Sequence, residues 1–414
     1  MRAMKLKIAL FVTLLAVPTL TAQTQIVRIH AATVLDGTGK TLKNATVVVQ
    51  GSKITSIETG SPANVSYELG QLTIVPGLID VHAHVGWHFD KSGRYANRPG
   101  TPAQEILYSA ENAYTTLMAG FTTIQSPGQA NDVELREGIA RGVFPGPRIL
   151  TSIRQINERS GTPDEIRQKV RQLKTDGADV IKIFASASIR DGGKQTMTDE
   201  QLNAVCGEAN AQGMRTMVHA HSPESIKASV NAGCQQIEHG VFATDDVLKL
   251  MADKGVYFDP NVGVVLQNYL KNRDKYNGIG NYNDEGFAYM EKGLGLNKTM
   301  IQKAVNTPKL MMVLGTDAVA GAHGHNAEEF IDRVHDAGVD PMAALVSANS
   351  LAAEAMRMGD RIGSIVPGYE ADIIALDGDP LKDITAVRRL NFVMKGGVVY
   401  KNLEHGATNS AASP

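Results

Sequence analysis

Two histidines one residue apart, His82 and His84, close the run Pro76-Gly77-Leu78-Ile79-Asp80-Val81-His82-Ala83-His84. Side chains alternate faces along a strand, so residues two apart point the same way. Imidazole is the commonest metal ligand, and two at the end of an apolar strand converge on one point. A lone pair of this kind is more often a surface or hydrogen-bonded core feature. Here, however, the chain carries matching groups far downstream: Lys182 in Val180-Ile181-Lys182-Ile183, His219 and His221 in Val218-His219-Ala220-His221, His239 after Ile237-Glu238, and Asp317 in Gly315-Thr316-Asp317-Ala318. Three or four imidazoles with a carboxylate suit a hydrolytic divalent metal, Zn2+ most simply. An open coordination position would lower the pKa of bound water to about 7. Lys182 is a cation inside an apolar run, which is costly without a partner. It either pairs with an Asp or Glu, or reacts with CO2 to give a carbamate able to bridge two metals.

These residues need elements that bring them together. Apolar strand candidates lie at 78–81, 121–125, 148–153, 180–184, 216–219, 236–238, 256–258 and 311–315. Helical periodicity lies between or after them at 104–118, 132–141, 163–175, 199–211, 223–231, 244–253, 327–336 and 341–356. Eight strands each followed by helix is the count of a (β/α)8 TIM barrel, an α/β fold whose catalytic groups sit at strand C-termini. His82, His84, Lys182, His219, His239 and Asp317 all fall at or near those ends. The segment 261–308 is too long for an ordinary connection and predicts helices of its own, which would form a lid. Short strands and turns mark both ends of the chain, giving a small β-sandwich from residues 23–75 and 359–402 around a barrel of 76–358. Residues 403–414 read as a disordered tail.

The chain has 414 residues, 43% hydrophobic and 20% charged, an ordinary globular composition. Its first 22 residues differ: Arg2, Lys5 and Lys7 precede an apolar stretch and the small residues Thr21-Ala22. That order is a secretory signal peptide cleaved near Ala22, and it predicts a periplasmic or secreted protein. With 41 basic and 43 acidic residues, loss of those three cations leaves a formal charge of −5. This balance points to no nucleic-acid partner and, after cleavage, to no membrane. A homo-oligomer is compatible with it. Cys206 and Cys234, the only cysteines, fall at helix or junction positions and are expected as free buried thiols, although export would permit a bridge.

The motifs quoted above, with Gly363-Ser364-Ile365-Val366-Pro367-Gly368-Tyr369-Glu370-Ala371-Asp372 near the end, resemble the amidohydrolase superfamily over nearly the whole mature chain. Within it the chain is most similar to the imidazolonepropionase-like group that holds binuclear-zinc Xaa-Pro and Xaa-Arg dipeptidases and ochratoxin-type amidases. The resemblance implies two divalent metals: His82 and His84 on the buried one, His219 and His239 on the exposed one, and carbamylated Lys182 between them. Asp317 would bind the buried metal and take the proton of a bridging hydroxide that cleaves a C–N amide bond. His221 shares a face with His219, so either can be the strand-five ligand. The resemblance favours His219 and leaves His221 as a catalytic or substrate-holding group.

A dipeptide or N-acyl amino acid presents a carboxylate, which calls for a positive partner. Arg154 after strand three and Arg190 after strand four are placed for that, with Tyr257 as a phenol donor. His323 and His325, six and eight residues beyond Asp317, fall on the loop after strand eight, either beside the metals or in a capping turn. His30, His88, His335 and His405 read as structural, loop or tail residues. The chain departs from the dipeptidase pattern after strand three, where Arg154-Gln155-Ile156-Asn157-Glu158-Arg159-Ser160 replaces a glycine- and histidine-rich loop. The same site would also activate water toward a cyclic amide, lactone or organophosphate ester. A catalytically silent binding protein on the same barrel is the alternative outside enzymes. Gly37-Thr38-Gly39-Lys40-Thr41 resembles the end of a P-loop, but Val34 stands where that loop needs glycine.

Overall fold

The computed structural model describes residues 25–98 and 100–403. The expected leader, His405 and the tail from 404 onward lie outside them. In chain order the strands are β1 Ile26–Leu35, β2 Thr41–Gln50, β3 Lys53–Thr59, β4 Tyr67–Glu68, β5 Thr73–Pro76, β6 Leu78–Asp80, β7 Phe121–Ser126, β8 Arg148–Thr151, β9 Gln155–Ile156, β10 Val180–Phe184, β11 Arg215–Ala220, β12 Gln236–His239, β13 Tyr257–Asp259, β14 Met311–Met312, β15 Ile373–Leu376, β16 Leu390–Lys395 and β17 Val398–Asn402.

Parallel strands β6 to β8 form one run and β9 to β14 the other. Backbone hydrogen bonds lace the two into a ring: Asp179 N donates to Thr151 O at 2.8 Å, and Val81 N to Leu314 O at 3.0 Å. A parallel bridge between Ala83 and Ala318 joins strand one to strand eight beyond the ladders. This is the TIM barrel expected from the alternating pattern. The helices start where capping residues dictate. Thr101, Thr162 and Thr198 each form a capping box ahead of α1 Pro102–Met118, α3 Pro163–Thr175 and α4 Asp199–Ala211.

Four elements depart from the expected bounds, and the helix expected over 327–336 is Glu328–Ile331 followed by a π-helical turn Asp332–Asp336. The third strand breaks after Thr151, because Ile153 takes a left-handed φ of 61°, and Gln155–Ile156 then pairs with β10 alone. The helix expected over 341–356 is two, Pro341–Ser347 and Ser350–Ala355, interrupted at Asn349 with φ −120° and ψ −112°. Residues 313–315 leave the ladder; Gly315 N donates to the Asp259 side chain at 2.8 Å instead.

The cysteines are corrected too. Cys206, on α4, and Cys234, at the turn into β12, form a disulfide, their Cα atoms 5.2 Å apart. Each reads as a lone buried thiol in sequence, and it is the packing of α4 beside the entry of β12 that pairs them.

The two β-rich ends build one continuous sheet in the order β17-β16-β15-β5-β1-β2-β3, with β4 on β1. Ile29, Val47, Ile74, Ile373 and Phe392 share its apolar core, and the sheet folds over until the β16–β17 turn meets the β2–β3 turn. There the Gly397 backbone lies on Gly51; a Cβ would fall 1.9 Å from the Gly51 carbonyl oxygen, and φ is 78°, so only glycine fits. The P-loop-like stretch is the β1–β2 turn, tied by the Asp36 side chain accepting from Thr38 and Lys40.

The excursion between strands seven and eight holds the expected helices, α7 Val264–Lys271, α8 Arg273–Tyr276 and α9 Asp284–Val305. Tyr269, Tyr276, Tyr282, Phe287 and Met290 give it a core of its own. It roofs the exit end of the barrel.

Candidate active site

Register brings the chemistry together. β10 lies beside β11 with Phe184 opposite His219, and β11 beside β12 with His219 opposite Glu238 and Ala220 opposite His239. Glu238 therefore faces the barrel interior with His219, and strict alternation would turn His239 away. Left-handed φ angles of 69° at His239 and 50° at Asp317 end that alternation at the strand exits. Such backbone costs about 1–3 kcal/mol per residue and persists where surrounding structure holds it, commonly at functional sites.

The rings of His219, His221 and His239 cluster with centroids 4.6–4.9 Å apart. His82 joins them, 5.3 Å from His239. Asp317 Oδ1 lies 3.1 Å from His84 Nε2 and 3.5 Å from His82 Nε2. Lys182 Nζ is 3.4 Å from His82 Nε2 and contacts Glu238 Oε2. Three groups could hold a metal, each with donor atoms within 4.8 Å of one another: His219, His221 and His239; His82, His239 and Asp317; and His82, Glu238 and Asp259. The expected donors thus meet at one cavity, which His82, His84, Lys182, His219, His221, His239 and Asp317 line.

Burial holds His82, His219 and His239 well below the usual imidazole range, helped by the Lys182 charge and by neighbouring rings. Burial, with Arg190 and Lys182, lowers His221 to about 3. The rings are therefore neutral, the form that ligates metals. His82 Nδ1 and His221 Nδ1 are buried without a hydrogen-bond partner. The orphaned His221 nitrogen, with His82 Nε2 and His84 Nε2 turned toward the Asp317 carboxylate, fits a divalent metal pair.

A second carboxylate layer underlies these rings, and sequence reasoning assigned it no role. Glu238 Oε1 and Asp259 Oδ2 each lie 3.5 Å from His82 Nδ1. Burial pushes Glu238 up to about 7 despite Lys182, and Asp259 well up despite Arg333. Gly315 makes room for Asp259, since a Cβ there would fall 2.2 Å from Oδ2. Asp80 accepts from Thr316 Oγ1 at 2.6 Å and Asn326 Nδ2 at 2.8 Å, tying strand one to strand eight. Asp80 and Glu238 stood inside the quoted motifs; Asp259 carried no signal beyond a carboxylate at the end of an apolar strand.

Of the substrate candidates, Arg190 reaches the cavity. Its Nε donates to Asn281 Oδ1 at 2.9 Å, and its guanidinium stands 4.2 Å from the Tyr282 ring and 5.5 Å from Tyr269. Among the described residues no carboxylate pairs with it. Arg154 does not reach the site, being exposed and paired with Asp176. Tyr257 opens β13 at the entry end, and its hydroxyl donates to Glu354 at 3.1 Å, outside the cavity. His325 is exposed beside Gln267 and Glu328. His323 is buried close to His84 and lowered to about 4, mainly by burial and against the raising pull of the Trp87 and His84 backbone. His88 stacks on Tyr108 and His30 pairs with Glu68, both away from the cluster. Residue type and spacing offer no pointer to Trp87, whose ring lies 4.4 Å from that of His84, nor to Asn261, Tyr269 and Asn297 on the cavity wall.

Known proteins resemble this chain. The model of the amidohydrolase family matches residues 73–400. Ochratoxinase of Aspergillus niger is 26% identical over 435 aligned positions, spanning 92% of this chain and 88% of that enzyme. An imidazolonepropionase of a Geobacillus species is 23% identical, spanning 81% and 84%. A solved Xaa-Pro dipeptidase superimposes with a TM-score of 0.82 at 28% identity, covering 91% of this chain and all of the other. With a family match over most of its length and the donor groups of a hydrolytic site at its strand ends, the chain belongs to the amidohydrolase family and is a hydrolase of C–N amide bonds.

Proposed function

We propose that the chain is an exported, binuclear metal-dependent amidohydrolase that cleaves a dipeptide or an N-acyl amino acid bearing a free carboxylate. The observation that carries the substrate class is Arg190, a cation on the wall of the imidazole cavity with no carboxylate partner among the described residues. The bound carboxylate would supply its missing counter-charge. The similar ochratoxinase and Xaa-Pro dipeptidase favour the same reading.

His82, His84 and Asp317 would hold one ion, and His219 and His239 the other, with Lys182 carbamylated between them. His221 belongs to the same imidazole group as His219 and His239 and can replace His219 as ligand. When bound, the metals supply electrophilic polarisation of the amide carbonyl and a lowered pKa for water. Asp317, partly open to the cavity, takes the proton of the attacking water and returns it to the leaving amine. His221, if not a ligand, stays neutral and offers a ring N–H to the developing oxyanion. Arg190 fixes the carboxylate end, and the α7–α9 roof limits water.

A screen of dipeptides and N-acyl amino acids against their C-terminal amides tests the substrate class. Turnover is expected for the free carboxylates. Activity confined to lactones or neutral cyclic amides would overturn the peptidase reading. Export is tested by N-terminal sequencing of protein recovered from an exporting host, which is expected to start at Gln23.

A further inference from the structure

The barrel has a second cavity at its other end. Arg215 opens β11 at the strand entry, while His219 lies at the exit of the same strand. The cavity, about 820 Å3, is lined by Arg136, Arg141, Arg148, Arg215, Arg357 and Arg361, and it reaches Lys395 of the β domain. Asp179 is the one carboxylate among the lining residues, and Arg136 occupies it at 2.6 Å. Arg148 is paired with Asp372 at 2.9 Å. Arg357 donates to the Gly213 carbonyl at 2.9 Å and to Gln235 Oε1 at 3.2 Å.

Arg215 has none of these outlets. Its side chain makes no hydrogen bond or ion pair among the described residues, it is only 6% exposed, and its Nη2 is buried without a partner. Burial lowers it to about 10, so it remains charged at neutral pH. An unpaired buried guanidinium is a standing cost that a bound anion would remove. Burial, and secondarily the charge of Arg148, also lowers Lys395 to about 8. Ile139, Met356, Met358, Val398 and Tyr400 supply apolar wall.

We propose that this cavity binds a phosphoryl group, either free phosphate or the phosphate ester of a small organic molecule, with Arg215 as the buried anchor and Arg141 at the rim. Guanidinium forks match phosphate oxygens in geometry and charge. The apolar wall favours the ester. The site stands apart from the reading of the metal cluster and does not depend on it.

Calorimetric titration of the metal-loaded full chain with inorganic phosphate and with phenyl phosphate tests it, alongside amide turnover. Binding is expected in both titrations, weakening as salt rises. Tighter binding of phenyl phosphate identifies an ester, and tighter binding of phosphate the free ion. Arg215→Met and Arg141→Glu should each weaken binding about tenfold or more while amide turnover stays within about twofold. Arg215→Lys keeps the charge in the fold and should weaken binding less than the methionine variant. No heat at millimolar ligand, binding unchanged in the Arg141 and Arg215 variants, or phosphate competing directly with the amide substrate would each overturn the proposal.

Discussion

A guanidinium stacked on tyrosine rings keeps its charge while losing much of its water, so the interaction it lacks is worth more there than at a surface. Replacing Arg190 by Met should therefore lower kcat/KM for free-carboxylate substrates by about 10- to 100-fold. The C-terminal amides should be nearly unaffected, and an equal loss on both would show that Arg190 only supports the fold. Asp317 acts on a proton rather than on binding. Asp317→Asn should lower kcat by about 10²- to 10⁴-fold with an unchanged far-UV spectrum, and retained turnover would remove Asp317 from proton transfer. The candidate metal donors are legible because each is a histidine, lysine or aspartate at the end of an apolar run. Arg154, Tyr257 and His325 were misjudged because residue type and rank after a strand do not say which way a loop turns.

Among the elements, the link between α4 and the entry of β12 spans 28 residues. Closing a loop of that size stabilises by about 3.5 kcal/mol in the chain-entropy view. The double variant Cys206→Ser with Cys234→Ser should lower the denaturant midpoint accordingly, and the denatured, unreduced protein should take up no thiol label. The β1–β4 pairing carries a smaller, pH-dependent contribution from His30 and Glu68, 2.7 Å apart. Burial works to lower His30, but its bond to Glu68, with that to Asn44, raises it above 6.5. That contribution is full below 6.5 and lost as pH rises through the folded value. Burial works to raise Glu68, but the His30 bond lowers it below 4.5, so its contribution is lost as pH falls through that lower value. His30→Gln should cost no more than about 1 kcal/mol near pH 5.5 and less at pH 8, read from melting curves; an equal loss at both would dismiss the pair. Helix starts were readable from Thr101, Thr162 and Thr198. The break at Ile153 was not, since nothing local asks a β-branched residue to take φ of 61°.

At the scale of the molecule, the alternation of strand and helix made the barrel legible, and turn-rich ends pointed to the β domain. The sequence could not show that Lys182 meets Glu238, 56 residues away, because only barrel closure sets that contact. The pairing has a consequence for loading. A carbamate on Lys182 would place negative charge beside Glu238 and near Asp317, favourable only when two dications balance it. Chelated protein should then regain about two metal ions per chain and full activity with zinc and bicarbonate together, and much less with zinc in CO2-free buffer. Equal recovery in both, with Lys182 open to acetylation, would rule out the carbamate.

The folded-over sheet bears on the order in which the chain can mature. Strand β5 pairs with β1 on one side and with β15 on the other, and the Val75–Ile374 partners are about 300 residues apart. Contacts of such long range form slowly, and an unpaired strand edge invites association with other chains while it waits. β5 also runs through Gly77 directly into β6 and the His82–His84 pair. The first of the proposed metal ligands to be synthesised thus hang from a strand whose second neighbour follows about 300 residues later. A centre assembled that way would gain its final rigidity only after β15 has been made.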